Sequence, residues 1–162
     1  MEQLRNSTLV FLIKRSEGKI SQILLAMKKR GFGMNRWNGA GGKVEPGETI
    51  EQAAKREVLE EISVDVSELN KIAELIFIFS DNPSWDQLVS VYFSEEWAEE
   101  PQESEEMRPQ WFSVSDIPYN DMWPDDKFWL PQVIAGELVK ASFTFGKNDS
   151  VDAQEVNIVK SF

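Results

Sequence analysis

The chain has 162 residues, a length that suits one domain (1–162) built around a single sizeable core. Its 28 acidic and 17 basic side chains give a net charge of −11, which argues against a binder of nucleic-acid polymers, chromatin or membrane surfaces. It contains no Cys and no His, which excludes disulfides, thiol chemistry, zinc-type ligation and a histidine general base.

The first predicted elements are strands. Two apolar runs rich in β-branched residues, 7–14 and 20–27, flank a turn-like segment at 16–19 and predict a β-hairpin. The longest apolar stretch here, 9–13, is far too short for a signal peptide or a membrane span, so we expect a soluble cytoplasmic protein. A glycine-rich loop at 31–33 and a further strand over 36–44 follow.

Residues 50–62 predict a helix, because they lack Gly and Pro and are rich in Ala, Glu, Lys, Arg and Leu. Thr49 precedes this segment and is a residue type that caps helices. Glu51 lies in the first turn, where an acidic side chain suits the positive end of the helix dipole.

The carboxylates of this helix are expected on its inner side. At about 100° per residue, Glu57 and Glu61 lie close to Ile50, and Glu60 lies on the flank. The three stand at i, i+3 and i+4, where like charges repel unless a cation lies between them. Mg²⁺ takes carboxylate oxygens and shares substrate phosphates, so the spacing predicts a Mg²⁺ site. The alternative is a surface helix with clustered Glu residues.

The middle of the chain predicts two more strands, at 72–79 and 88–93, linked through a turn that starts at 81–83. The acidic segment 95–106 is expected to be a loop. A short strand is predicted at 110–114.

The last part of the chain predicts a second helix at 125–138 that ends near Gly136. Strands at 141–145 and 156–159 are expected to close the sheet as its edges. Mixed strands with two helices on opposite sides predict an α/β/α sandwich.

The most specific motif of the chain lies at 42–64. It follows the pattern G-x5-E-x7-R-E-U-x-E-E-x-G-U, in which U is aliphatic, through Gly42, Glu48, Arg56, Glu57, Val58, Glu60, Glu61 and Val64. Ser63 stands where the pattern has its second Gly, which puts the geometry of the helix end in question and leaves the carboxylates untouched. This segment resembles the Nudix box, the signature of enzymes that hydrolyse nucleoside diphosphates linked to another group.

The resemblance implies the Nudix fold and a set of roles for the motif residues. Mg²⁺ ions, for which Mn²⁺ substitutes, would be held by Glu57, Glu60, Glu61 and Glu106 together with the main-chain carbonyl of Gly41. Either Glu61 or Glu106 would be the general base. Arg56 and Glu48 are expected to form an orienting ion pair, since a guanidinium can hold a carboxylate bidentately.

Three other stretches resemble one branch of this family, the MutT-related 8-oxo-dGTP diphosphatases. They are 27–44, 105–112 (EEMRPQWF) and 121–126 (DMWPDD), and the likeness extends from Thr8 to about Phe145. It implies hydrolysis of a purine nucleoside triphosphate, such as 8-oxo-dGTP or 2-hydroxy-dATP, to the monophosphate and pyrophosphate. We expect a monomer whose partner is this small molecule, with no nucleic-acid polymer and no membrane.

The base would be recognised by aromatic and acidic side chains. Trp123 and Phe32 offer faces that could sandwich a purine, although both could instead be core aromatics. Asp125 and Asp126 could share one proton in an apolar pocket and so offer a donor and an acceptor, or they could cap the second helix. Asn38 supplies a further amide.

The phosphates would be positioned by cations and backbone. Lys28 and the backbone of Gly41, Gly42 and Lys43 are expected to contact them, although Lys28 could belong to a solvated basic patch. Thr8 stands where the similar proteins contact their substrate. The other tryptophans are predicted to pack in the fold, namely Trp37, Trp85, Trp97, Trp111 and Trp129.

Two other functions remain open from the sequence. One is a Nudix enzyme with a different substrate, such as an undamaged nucleotide or a dinucleoside polyphosphate. The other is a nucleotide-binding module without catalysis, which usually lacks the box carboxylates that this chain retains.

Overall fold

Apolar side chains along the first hairpin face alternately to the two sides of the sheet. In the computed structural model, which describes residues 4–162, β1 (Arg5–Ser16) pairs antiparallel with β2 (Lys19–Lys28). Phe11 of β1 lies in one apolar core and Val10 in the other. Since successive side chains of a strand point to opposite faces, an unbroken apolar run suits a strand covered on both faces. The predicted hairpin is confirmed, and both strands are longer than predicted.

The sheet of the described residues is mixed, as predicted. The later strands are β3 (Trp37–Asn38), β4 (Asp65–Val66), β5 (Asn70–Phe79), β6 (Gln87–Ser94), β7 (Trp97–Ala98), β8 (Met107–Ser113), β9 (Leu138–Phe145) and β10 (Val151–Val159). The main sheet runs in the order β10–β9–β5–β6–β1–β2–β3, and β8 also pairs with β2. The pairs β1–β6 and β5–β9 are parallel, whereas β4 and β7 form a separate small ladder.

Two helices cover opposite faces of this sheet. Val58 and Ile62 of α1 (Ile50–Ile62) pack in the core that contains Val10. Trp129 and Leu130 of α2 (Asp126–Ile134) pack in the core that contains Phe11. The predicted α/β/α sandwich is therefore confirmed. Neither helix of residues 4–162 is long and apolar enough to cross a lipid bilayer.

Helix α1 begins and ends through identifiable contacts. The Thr49 hydroxyl accepts the backbone N–H of Gln52, and the Gln52 side chain accepts the N–H of Thr49, which forms a capping box. At the other end Ser63 takes a left-handed conformation, with φ 62° and ψ 29°. Its backbone N–H still donates to the Leu59 carbonyl, so the helix ends as the motif requires without the usual Gly.

Four predicted elements needed correction. The segment 95–106, expected to be a loop, contains the short strand β7, which pairs with β4. The strand expected at 36–44 is reduced to β3, after which Ala40 and Lys43 form only isolated bridges to β1, because the Gly41 N–H donates to the Glu61 carboxylate instead of a strand. The second helix ends at Ile134, four residues before the predicted end, and β9 begins at Leu138. The strand expected at 141–145 is not an edge, because β9 lies between β5 and β10.

Replacing Ser63 with Gly is expected to stabilise the protein. A residue with a Cβ is strained in the left-handed region and Gly is not, so we expect the free energy of unfolding to rise by about 0.5–1 kcal/mol. Urea denaturation of wild type and Ser63→Gly measures this difference. Ser113→Gly is a matched control, because Ser113 has a φ of −62° and gains nothing from Gly. An equal rise in both variants would contradict the argument.

Candidate active site

The site is built around Glu61, a carboxylate on the inner side of α1. Its side chain is buried, and its Oε2 accepts the backbone N–H of Gly41 at 3.3 Å. Burial raises the pKa of Glu61 to about 8, opposed in part by the positive charge of Lys28 and reinforced by the negative charge of Glu57. The helix therefore places a carboxylate where a compensating cation would stabilise it.

Arg56 links the other carboxylates of the motif. Its Nε and Nη2 donate to the two carboxylate oxygens of Glu48, at 3.0 and 2.7 Å. Its Nη1 donates to Glu57 at 2.8 Å and to Glu60 at 3.3 Å. The hydrogen bond from Arg56 lowers the pKa of Glu48. The Glu48–Arg56 pair thus has the bidentate geometry expected of an orienting contact.

Gly42 leaves room for one of these carboxylates. A Cβ at this position would lie 2.6 Å from the carboxyl carbon of Glu57, closer than non-bonded carbon atoms approach. On its other side, the Gly42 carbonyl accepts the backbone N–H of Thr8 at 2.8 Å. The Gly41–Gly42 segment is therefore held between β1 and the carboxylates of α1.

A cavity of about 540 Å³ opens beside these residues. It is lined by Glu57, Glu60, Glu61, Glu105 and Glu106, by Lys28 and Arg30, and by Gly41, Gly42 and Ser104. Glu106 reaches it from the loop before β8, where its carboxylate lies 3.8 Å from Lys28 Nζ and 3.4 Å from Arg30 Nη2. The cavity therefore combines acidic groups with two cations at its rim.

The donor set fits a hard divalent cation. Among residues 4–162 no three acidic side chains converge into a ready-made cation cluster, because Arg56 draws the Glu57 and Glu60 carboxylates toward itself. Arg56 has two hydrogen bonds to Glu48 and does not depend on those two carboxylates for its position. The carboxylate oxygens and the Gly41 carbonyl are the ligand type that Mg²⁺ and similar ions take.

A second cavity, of about 600 Å³, adjoins the first, and six of its lining side chains are aromatic. The two share Lys28, Gly41 and Gly42. The predicted base and phosphate contacts that line the second cavity are Thr8, Lys28, Phe32, Asn38, Gly41, Gly42, Lys43, Trp123, Asp125 and Asp126. Of all the predicted site residues, only Glu48 and Arg56 line neither cavity; they lie behind the first one.

Asp125 and Asp126 are both buried at the base of the second cavity, with exposed fractions of 1% and 3%. The Trp129 indole N–H donates to Asp125 at 2.8 Å, whereas Asp126 Oδ2 has no hydrogen-bond partner among residues 4–162. Asp125 is the N-cap residue of α2 and Asp126 lies in its first turn, so the predicted acidic helix N-terminus is confirmed, but among residues 4–162 the Asp125 side chain makes no capping hydrogen bond. Burial raises the pKa of both groups, and the adjacent charge of Asp125 raises the pKa of Asp126 further.

The two rings of the predicted sandwich contact each other in this structure. The rings of Phe32 and Trp123 have centroids 5.1 Å apart and planes inclined by 30°, which leaves no gap for a base between them. A base that stacks on this face of Trp123 has to displace Phe32. The Arg36 guanidinium lies over the Trp123 ring at 4.1 Å and is paired with Asp149 at 3.1 Å.

Sequence reasoning missed several residues of these cavities. Trp85 was assigned to packing, but it lines the second cavity and is 39% exposed. Trp129 is buried as predicted, yet it also holds Asp125 through its indole. Arg30 and Arg36 lie in the 27–44 stretch that carries the resemblance, but sequence reasoning assigned no role to either; Arg30 lines the first cavity, and Arg36 lies beside the second one over Trp123.

The fold and the two joined cavities define a hydrolase that acts on a small phosphorylated ligand. The chain matches the NUDIX domain model over residues 3–133 and therefore belongs to the Nudix hydrolase family, whose members generally use divalent metal cations and act on small nucleotides.

Individual relatives agree with this assignment. The chain is 44% identical over 141 residues to an oxidized purine nucleoside triphosphate hydrolase of Mus musculus, covering 87% of this chain and 90% of that protein. It is 42% identical over 139 residues to the Danio rerio protein of the same name, covering 86% and 88%. The crystal structure of a MutT protein from Bacillus halodurans matches the fold with a TM-score of 0.81 at 20% identity, covering 95% and 98% of the two chains.

The raised pKa of Asp126 predicts how Asp126→Asn responds to pH. The stability contributed by the protonated carboxyl is complete below the pKa of an unfolded Asp, about 3.9, and is lost as the pH rises through the folded value. Asn cannot ionise, so relative to wild type the variant is expected to gain stability as the pH rises from 4 to 8.

Urea denaturation at pH 4, 6 and 8 measures the free energies of unfolding. Asp116→Asn, at an exposed position, serves as the control and is expected to show no such trend. A difference between Asp126→Asn and wild type that stays constant with pH would show that Asp126 is ionised in the folded protein.

Proposed function

We propose that this protein hydrolyses oxidised purine nucleoside triphosphates, such as 8-oxo-dGTP and 2-hydroxy-dATP, to the monophosphate and pyrophosphate. The observation that carries the proposal is the junction of the two cavities at Lys28, Gly41 and Gly42. One cavity has the oxygen ligands for a cation and phosphates, and the other has the aromatic and acidic groups for a purine. The names of the mouse and zebrafish relatives support the same substrate class.

The phosphate end of the reaction would take place beside α1. Glu57, Glu60 and Glu61, with Glu106 and the Gly41 carbonyl, are the residues that would hold Mg²⁺. When bound, Mg²⁺ supplies charge neutralisation of the phosphates and a more acidic water. Lys28, Lys43 and the glycine backbone position the phosphate oxygens, and the Glu48–Arg56 pair keeps the helix side chains aligned.

Glu61 is better placed than Glu106 to orient the attacking water and take its proton. Its carboxylate is buried and fixed by the Gly41 N–H. Glu106 is more exposed and is paired with Lys28 and Arg30, so its position depends on two cationic side chains at the rim of the cavity. A general base has to be held within hydrogen-bond reach of the proton it removes, which favours the fixed carboxylate.

The base end of the reaction would depend on the acidic pair. A protonated Asp126 donates and an ionised Asp125 accepts, so together they match a purine edge that carries both a carbonyl and an N–H. Moving the single proton between them would let the cavity accept an oxidised adenine as well as an oxidised guanine. Asn38 and Thr8 add polar groups along the same wall.

We propose that residues 1–162 form one domain, since the site residues extend from Thr8 in β1 to Asp126 in α2. We also propose that the protein is a cytoplasmic monomer whose partner is the nucleotide alone. The net charge of −11 disfavours association with a nucleic-acid polymer.

Glu61→Gln is expected to lower kcat for 8-oxo-dGTP by about 10²–10⁴-fold, because the amide neither accepts the proton nor holds a cation as strongly. The dissociation constant for the nucleotide monophosphate is expected to stay within about threefold. Steady-state kinetics and isothermal titration calorimetry measure the two quantities. Glu100→Gln, on the exposed loop, is the matched control and should keep wild-type turnover. Unchanged turnover in Glu61→Gln would reject its role.

A panel of triphosphates tests the substrate assignment. We expect kcat/KM for 8-oxo-dGTP and 2-hydroxy-dATP to exceed that for dGTP by at least about tenfold, since oxidation changes the hydrogen-bond donors and acceptors that the purine presents to the acidic pair. Pyrophosphate release should stop when EDTA removes the cation and return with Mg²⁺. Preference for dGTP or for a dinucleoside polyphosphate would assign a different substrate, and binding without any release would assign a non-catalytic module.

A further inference from the structure

Trp85 lies on a turn that holds it at the second cavity. The turn Pro83–Trp85 connects β5 to β6, and the residues on either side of it, Phe79 and Gln87, line the cavity as well. The Asp86 carboxylate accepts the Phe79 backbone N–H at 2.8 Å, which ties the two ends of the connection together. The position of the indole is therefore set by the turn and does not depend on a flexible loop.

The Trp85 indole faces Phe32, which belongs to a different segment. The ring centroids lie 5.0 Å apart with planes inclined by 69°, an edge-to-face contact. Trp85 also lies 5.6 Å from Phe79, deeper in the same aromatic group. Trp85 and Phe32 are 39% and 49% exposed, so both keep apolar surface in contact with water.

Phe32 lies between two glycines in left-handed conformations. Gly31 and Gly33 have φ values of 76° and 81°, a region that residues with a Cβ rarely adopt. Phe32 also contacts the Trp123 ring, so a purine that stacks on this face of Trp123 takes the place of Phe32. The turn that carries Trp85 lines the same cavity. A displaced Phe32 would therefore still have an aromatic neighbour in Trp85.

We propose that Trp85 is a substrate-positioning residue that closes the mouth of the second cavity over the purine, together with Phe32. We call these two side chains the aromatic clasp. The inference rests on the proposed function and adds a residue that neither the Nudix box nor the 121–126 stretch contains. When the clasp covers the base, the exposed faces of both rings and of the base are removed from water. This burial favours the bound state.

The clasp acts on the base and not on the phosphates. Trp85 lines only the aromatic cavity, whereas the carboxylates of α1 line the other. Loss of the indole should therefore weaken nucleotide binding without slowing the chemical step. Inorganic triphosphate, which has no base, should bind equally well with or without Trp85.

Trp85→Ala and Trp85→Phe test the clasp in the full chain. We expect Trp85→Ala to raise KM for 8-oxo-dGTP by roughly tenfold, as loss of one aromatic contact with a base predicts, with kcat within about twofold of wild type. Trp85→Phe keeps an aromatic face and should raise KM by less than about threefold. The inhibition constant of inorganic triphosphate should be unchanged in both variants.

Phe162→Ala is the matched control, because Phe162 is 41% exposed and lines neither cavity. Its KM should equal that of wild type. Isothermal titration with 8-oxo-dGMP in EDTA measures the effect on binding alone, and circular dichroism shows whether each variant is folded. If Trp85→Ala does not fold, Trp85→Leu, which keeps apolar bulk but no ring, replaces it with the same expected rise in KM.

The outcomes separate the clasp from the proposed function. A wild-type protein that cleaves 8-oxo-dGTP, with an unchanged KM in the Trp85 variants, overturns the clasp alone. So does a parallel rise in KM and in the inhibition constant of inorganic triphosphate, because that effect does not involve the base. A wild type that neither cleaves nor binds purine nucleotides overturns the proposed function and the clasp with it.

Discussion

The rest of the site depends on how one helix carries several carboxylates on and beside its inner face. Buried negative charges destabilise a fold unless cations or hydrogen-bond donors compensate them. Arg56 compensates Glu48, Glu57 and Glu60 directly, and the Gly41 N–H binds Glu61. The compensation is incomplete at Glu61, as its raised pKa shows. That incomplete balance makes the cavity receptive to a divalent cation.

The glycine segment between β3 and α1 joins this charged region to the aromatic one. Gly42 approaches the Glu57 carboxylate on one side and pairs through its carbonyl with Thr8 on the other. A Cβ at Gly41 would collide with the Thr8 carbonyl of β1, and a Cβ at Gly42 would collide with the Glu57 carboxylate, so neither position admits a side chain. The interruption of the strand predicted over 36–44 is therefore part of the site, because a regular strand would have turned these backbone groups toward the sheet.

The buried acidic groups of the second cavity lower the stability of the folded protein. Asp125 and Asp126 are buried side by side, and one oxygen of Asp126 has no partner. Trp129 compensates Asp125 with its indole N–H. Groups left unsatisfied in a well-packed fold are typical of positions whose partner is a ligand. Phe32 and Trp85 likewise keep apolar surface in contact with water, which a bound ligand would cover.

The sequence by itself determined the parts of the protein that follow local rules. The hairpin follows from strand alternation, α1 from helix propensity and its Thr49 cap, and the order of Glu57, Glu60 and Glu61 from helical spacing. Only the tertiary structure decided that Trp85 faces Phe32, that Arg36 lies between Trp123 and Asp149, and that Glu106 reaches the α1 carboxylates. These contacts join segments far apart in the chain, and their geometry depends on turns and loops whose paths no residue periodicity specifies.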